Sequence, residues 1–109
     1  MDSDTRKIKF GITFVTPDAS LSFQRENWKQ LVSKVESLGF SGIFIPDYFY
    51  PQWDPISTSA AIAAITENID VGTIVCCVDY RHPVVHAKAS ATINLISNNR
   101  LFLELELDG

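Results

Sequence analysis

Gly42-Ile43-Phe44-Ile45-Pro46 decides the architecture. The four residues before the proline are small or apolar and do not alternate, which is the pattern of a strand covered on both faces in a parallel sheet. Upstream, Trp28, Leu31, Val32, Val35 and Leu38 recur at i, i+3, i+4, i+7 and i+10, with Gln24, Arg25, Lys29, Lys34 and Glu36 on the opposite side. This period, entered from Phe23, predicts an amphipathic helix stopped by Gly39. Earlier still, Ile8 to Val15 alternates and then becomes continuously apolar, predicting a strand broken by Thr16-Pro17-Asp18. The chain therefore opens as β-α-β.

Downstream the unit repeats. Asp54-Pro55 pairs an N-cap residue with proline at the first helical position, and an alanine-rich helix over Ser57 to Thr66 follows. Ile69 to Val78 is rich in β-branched residues and reads as a third strand. After a loop at Asp79-Tyr80-Arg81-His82, Pro83 opens a third helix that runs through Ile96 and ends at Ser97-Asn98-Asn99. Leu101 to Leu107 reads as a fourth strand. No linker or low-complexity stretch divides these pieces, so residues 1–109 are expected to form one α/β domain. Strict alternation implies parallel strands with right-handed crossovers, closing either as a doubly wound sheet or as a barrel. A (β/α)8 barrel takes eight such units and about 250 residues. Only about four strands and three helices are present.

Composition narrows the function. Nine Lys and Arg against 13 Asp and Glu leave a net charge of −4, which disfavours a phosphate-reading, nucleic-acid-binding surface. Hydrophobic residues make up 46% of the chain, enough for a packed core. No apolar run reaches the roughly 18 residues of a membrane span, because Glu67, Asn68 and Asp70 cut off the stretch Ala60 to Ile65. The polar start offers no signal-peptide core, so a cytoplasmic protein is expected. Cys76 and Cys77 are adjacent in a strand and point to opposite faces, which argues for buried packing over a disulfide. His82 and His86 stand at i, i+4 but lack a third ligand, so no metal site is expected. Lys88, alone in a helix of small residues, is expected to snorkel from a packed face.

In either closure, ligands gather at the carboxyl ends of the strands. This nominates Phe14 to Pro17, Pro46 to Trp53, Val75 to His82 and whatever follows Leu107. Pro46 to Trp53 is the most suggestive, with Tyr48, Phe49, Tyr50 and Trp53 as rings for a flat conjugated ligand and Asp47 as an acid among them. The same rings could equally serve only to cap the sheet.

Several stretches together resemble the amino-terminal portion of the luciferase-like monooxygenase superfamily, the flavin- or deazaflavin-dependent barrels related to bacterial luciferase. They are Leu38-Gly39-Phe40 with Pro46-Asp47-Tyr48-Phe49, Asp54-Pro55, Val71-Gly72-Thr73, and Tyr80-Arg81-His82-Pro83 continuing through Ala87 to Thr92 and on to Ser97-Asn98-Asn99-Arg100. The resemblance covers about residues 8–103. It implies a partial (β/α)8 TIM barrel, and FMN or coenzyme F420 as the cofactor of intact relatives, used for hydride transfer or oxygen chemistry on a small-molecule substrate. By position it maps the cofactor ring onto Asp47 and Tyr48, after strand two, and onto Ile74 and Val75, at a strand-three bulge that often carries a non-proline cis peptide. Many deazaflavin-using members have histidine where this chain has Tyr48. A tyrosine can donate a hydrogen bond but is a poor base near neutral pH, which argues against proton transfer at this position; Tyr48 is the one catalytic candidate the resemblance offers, and no catalytic residue is assigned.

The resemblance fails at the end. The family continues with a glycine-rich turn, whereas this chain reads Glu104-Leu105-Glu106-Leu107-Asp108-Gly109. In a fully buried parallel strand, Glu104 and Glu106 on one face would be costly. Back-translated one base out of register, the codons for these six residues give glycine first and admit the family motif. Residues 104–109 are therefore expected to be a frameshifted tail on a truncated domain. Such a fragment is expected to bind cofactor feebly or not at all, and to associate with itself or with a separately encoded remainder.

Overall fold

The computed structural model describes residues 8–14, 24–48 and 52–106. Four parallel strands run in the order β1 (Gly11–Thr13), β2 (Gly42–Ile45), β3 (Asp70–Cys77), β4 (Leu101–Glu106). The helices are α1 (Trp28–Ser37), α2 (Pro55–Ile65) and α3 (Pro83–Ile96), with a 3-10 turn at Val78–Tyr80 before α3. The alternating α/β order and the parallel sheet agree with the sequence reading.

Two boundaries are corrected. β1 starts at Gly11 rather than Ile8, because it pairs only with the short β2, from Gly11 opposite Gly42 to Thr13 opposite Phe44. Helix α1 starts at Trp28, after a turn over residues 25–27 in which the Gln24 N–H donates to the Asn27 side chain at 2.8 Å. Its far end closes as expected on Gly39, whose φ of 89° suits a residue without a Cβ.

One face of the sheet is covered by helices. Ile43, Ile45, Ile69 and Val71 are buried there against Val32, Val35, Ile62, Ala63 and Ile93. On the other face, one register row joins Phe44, Gly72 and Phe102. The two phenyl rings meet edge-on with centroids 5.5 Å apart. Glu104 and Glu106 are exposed. The cost expected of them in a fully buried strand does not arise here, since β4 is an edge strand.

Arg100 fastens the layers at the opposite end from the nominated loops. Its guanidinium donates to the carbonyls of Ala63 (3.1 Å), Thr66 (2.9 Å) and Ile69 (2.6 Å) and to the Thr66 hydroxyl (2.8 Å). These bonds satisfy acceptors that the end of α2 leaves over. No helix among the described residues is long and apolar enough to cross a membrane.

Candidate functional site

Pro46 ends β2 and turns the chain so that Asp47 points back beneath the end of β3. Its side chain is only 2% exposed. Arg81 donates through Nη1 to Oδ2 at 2.7 Å and through Nη2 to Oδ1 at 2.8 Å, and the Cys77 N–H donates to Oδ2 at 3.0 Å. This is a two-pronged ion pair with an added backbone bond. Arg81 also lies 3.6 Å from Asp54, whose carboxylate caps α2 by accepting from the Ser57 N–H at 2.8 Å. One guanidinium therefore ties together the loop after β2, the end of β3 and the start of α2.

Burial pushes the Asp47 carboxyl up, but the Arg81 hydrogen bonds and the Cys77 N–H outweigh it and hold the group below the usual aspartate range. Glu36 behaves alike: burial raises it, while the N–H groups of Asn68 and Glu67, at 2.7 and 2.9 Å, bring it down. A depressed carboxyl contributes stability above its unfolded pKa, about 3.9 for Asp, and loses it as pH falls through the folded value. The melting temperature is therefore expected to fall between pH 7 and pH 3, and thermal melts of Asp47→Asn should show a flatter acid limb. An equally steep limb in that variant would remove Asp47 from the account.

The loop and the strand end border a cavity of about 200 Å³ lined by Pro46, Asp47, Tyr48, Val75, Cys77, Tyr80 and Glu106. The β3–β4 ladder shifts register between Thr73 and Cys76, and the Ile74–Val75 peptide inside the shift is cis. Three of the nominated residues, Asp47, Tyr48 and Val75, thus share one cavity. Ile74 lines a neighbouring one of about 220 Å³ with Phe44 and Phe102. Phe49 and Tyr50 lie outside the described residues. Trp53 packs edge-on against Trp28, with centroids 6.4 Å apart, as part of the core.

Cys76 and His86 form a separate buried contact, Sγ to Nε2 at 3.5 Å, with Arg81 Nη1 3.7 Å from the same sulfur. Burial first, and then the Asp47 charge, push the Cys76 thiol up to about 11, so it is an unreactive packing group. His82 caps α3 instead, its Nδ1 accepting from the Val84 N–H at 3.2 Å. The two histidines therefore have different partners, and no metal-ligating cluster occurs among the described residues. Lys88 is exposed.

Sequence reasoning missed two residues. Arg81 is quoted above only as part of a motif, yet it is the partner of Asp47 across 34 positions. Glu106 enters the cavity through the strand register that sets it beside Cys77. A lone cation beside a helix-opening proline was the available signal for Arg81.

The pattern of the luciferase-like monooxygenase family matches residues 8–105. The chain belongs to that family. Sulfoquinovose monooxygenase of Agrobacterium fabrum is 30% identical over 89 residues, covering 82% of this chain and 23% of that protein. Among solved structures, the coenzyme F420-dependent tetrahydromethanopterin reductase of Methanopyrus kandleri superposes with a TM-score of 0.76 at 26% identity, covering 90% of this chain and 26% of the reductase. Monooxygenase RslO1 of Streptomyces bottropensis gives 0.77 at 27% identity, with coverage of 90% and 32%. The oxygenating constituent of 3,6-diketocamphane monooxygenase of Pseudomonas putida, solved with FMN, shares the fold at 0.77 and 20% identity, with coverage of 94% and 30%. The chain thus spans about a quarter to a third of the length of these proteins.

Proposed function

We propose that this chain supplies the amino-terminal part of a cytoplasmic flavin- or deazaflavin-dependent oxidoreductase acting on a small molecule, and that the cofactor ring lies at the carboxyl ends of β2 and β3. The observation that carries the reading is the cavity itself, where Tyr48, Tyr80, Pro46 and Val75 offer flat and apolar surface beside the irregular stretch of β3. The donor set fits a ring: Val75 and Pro46 contribute contact area, and Tyr48 contributes a hydroxyl. Asp47 and Arg81 position this wall, with Asp47 spending both oxygens on protein donors. The bound cofactor would carry the electrons, while the protein orients it and excludes water. Relatives of the family are named for coenzyme F420 and solved with FMN, which supports both as candidates.

Fluorescence titration with FMN and with coenzyme F420 tests this on the chain alone and on a chain lengthened to the size of its relatives. The lengthened chain is expected to bind one of them tightly and to lose most of that affinity on Val75→Glu. The 109-residue chain should bind weakly, because phosphate in such barrels is held by later loops and helix starts. Undiminished binding by the lengthened Val75→Glu variant would overturn the placement.

A second reading, a half-barrel that assembles with itself or with a separately encoded remainder, is favoured by one observation. Among the described residues β1 and β4 each pair on one side only, and Phe10, Phe102 and Leu105 are exposed. Analytical ultracentrifugation is expected to find species heavier than the 12.2 kDa chain. A monodisperse monomer that melts cooperatively and binds no hydrophobic dye would discard it.

A further inference from the structure

Leu105 and Glu106 are neighbours in β4 and point to opposite faces of the sheet, so Glu106 enters the cavity beside Asp47 while Leu105 enters a different one. This second cavity holds about 240 Å³ between α3 and β4, with Val78, Pro83, Leu103 and Leu105 as its apolar wall. Two polar side chains, His86 and Ser90, line it from one strip of α3, four residues apart. No charged residue lines it. His86 is only 9% exposed, and its ring spends one nitrogen, Nε2, on Cys76 Sγ at 3.5 Å. Among the described residues the other ring nitrogen has no hydrogen-bond partner, and neither has the Ser90 hydroxyl. A polar atom so far withdrawn from water gains when a ligand atom pairs with it.

We propose that this cavity binds a small uncharged aromatic alcohol, its ring against Leu103 and Leu105 and its hydroxyl bonded to His86. The site lies across the sheet from the cofactor cavity and stands independently of the cofactor reading. Apolar cavities of about 150 Å³ accept a benzene-sized guest, so this one admits a phenol. A hydroxyl both donates and accepts, and therefore serves either tautomer of the imidazole. A carboxylate would meet no counter-charge in the wall.

Chemical-shift titration of the 15N-labelled full chain with phenol, toluene and benzoate tests this. Phenol is expected to move the amides of Val78, His86, Leu103 and Leu105 saturably, with a Kd on the order of 1 mM, the scale for so small a ligand. Toluene, which lacks the hydroxyl, should bind the same residues about fivefold more weakly, the worth of one hydrogen bond, and benzoate should not saturate them. His86→Phe should bring phenol and toluene level. Ala87 lines the cavity from an exposed position on α3, so Ala87→Leu should fill the space and abolish binding of both while leaving the fold intact. Absence of saturable shifts at these amides, equal affinity for phenol and toluene in the parent chain, or binding undiminished by Ala87→Leu overturns the inference. So does movement of the same amides on tenfold dilution without ligand, which would show that a second copy of the chain fills the cavity.

Discussion

Gly72→Ala is expected to remove most of the stability of the fold, several kcal/mol of it. A Cβ at position 72 would fall on the carbonyl oxygen and carbonyl carbon of Phe102, which are backbone atoms of the adjacent strand and cannot rotate away. The only relief is to part β3 from β4, whose pairing from Val71 opposite Leu101 to Thr73 opposite Leu103 contains that row. Overpacking of this kind costs about 1–3 kcal/mol in ordinary cores and more where backbone must shift. A 109-residue chain whose described sheet pairs β1 and β4 on one side only belongs at the low end of the roughly 5–15 kcal/mol range of native stability. Gly42→Ala is the comparator, because its Cβ would meet only the Phe44 ring, a side chain that can turn. Urea titrations should place Gly72→Ala several kcal/mol below the parent and Gly42→Ala well above it. Equal midpoints for the two would show that the ladder has slack that the geometry does not suggest.

The second large effect is expected at the ion pair. Asp47→Ala removes one partner and leaves the Arg81 guanidinium, 18% exposed, and the Cys77 N–H without their acceptor. Breaking a buried pair from one side costs about 3–5 kcal/mol, and the partial exposure of Arg81 puts this case at the lower figure. Arg81→Met alone strands the carboxylate and should cost as much. The double change Asp47→Ala with Arg81→Met should recover part of the loss, since neither charge is then left uncompensated. A double-mutant cycle with additive costs would mean that the two side chains do not stabilise one another. Chemical-shift changes at Tyr48 and Val75 in the single variants would report whether the cavity wall relaxes with the pair.

Local chemistry explains what was legible beforehand. Helix ends carry their own signals, so Asp54-Pro55 and Pro83 place the starts of α2 and α3 within one position, and Gly39 closes α1. Strand β2 was visible because its residues are apolar on both faces. Length at the sheet edge was not: how far β1 runs depends on how many residues of β2 it can pair with, and that number is not written in residues 8–15. The nomination of Asp47, Tyr48 and Val75 came from strand order and family likeness, and they line one cavity. What the sequence concealed is pairing across distance. Nothing near Asp47 in the chain announces Arg81, and nothing in the alternation of Glu104 to Glu106 announces that only Glu106 reaches the cavity.

The placement of Arg100 bears on how the chain accommodates changes of length. Connections between elements ordinarily accept inserted residues, since they lie on the surface and carry few long-range bonds. Here the segment after α2 and the segment after α3 hang on the same side chain, through Ala63, Thr66 and Ile69 on one side and the Ser97 carbonyl on the other. An extra residue in either would move one set of acceptors away from a guanidinium whose backbone is fixed by β4. These two short connections are therefore a gauge that sets the spacing of helices and strands at this end of the sheet, and an inserted residue should be borne more easily at the opposite end, where the cavity opens.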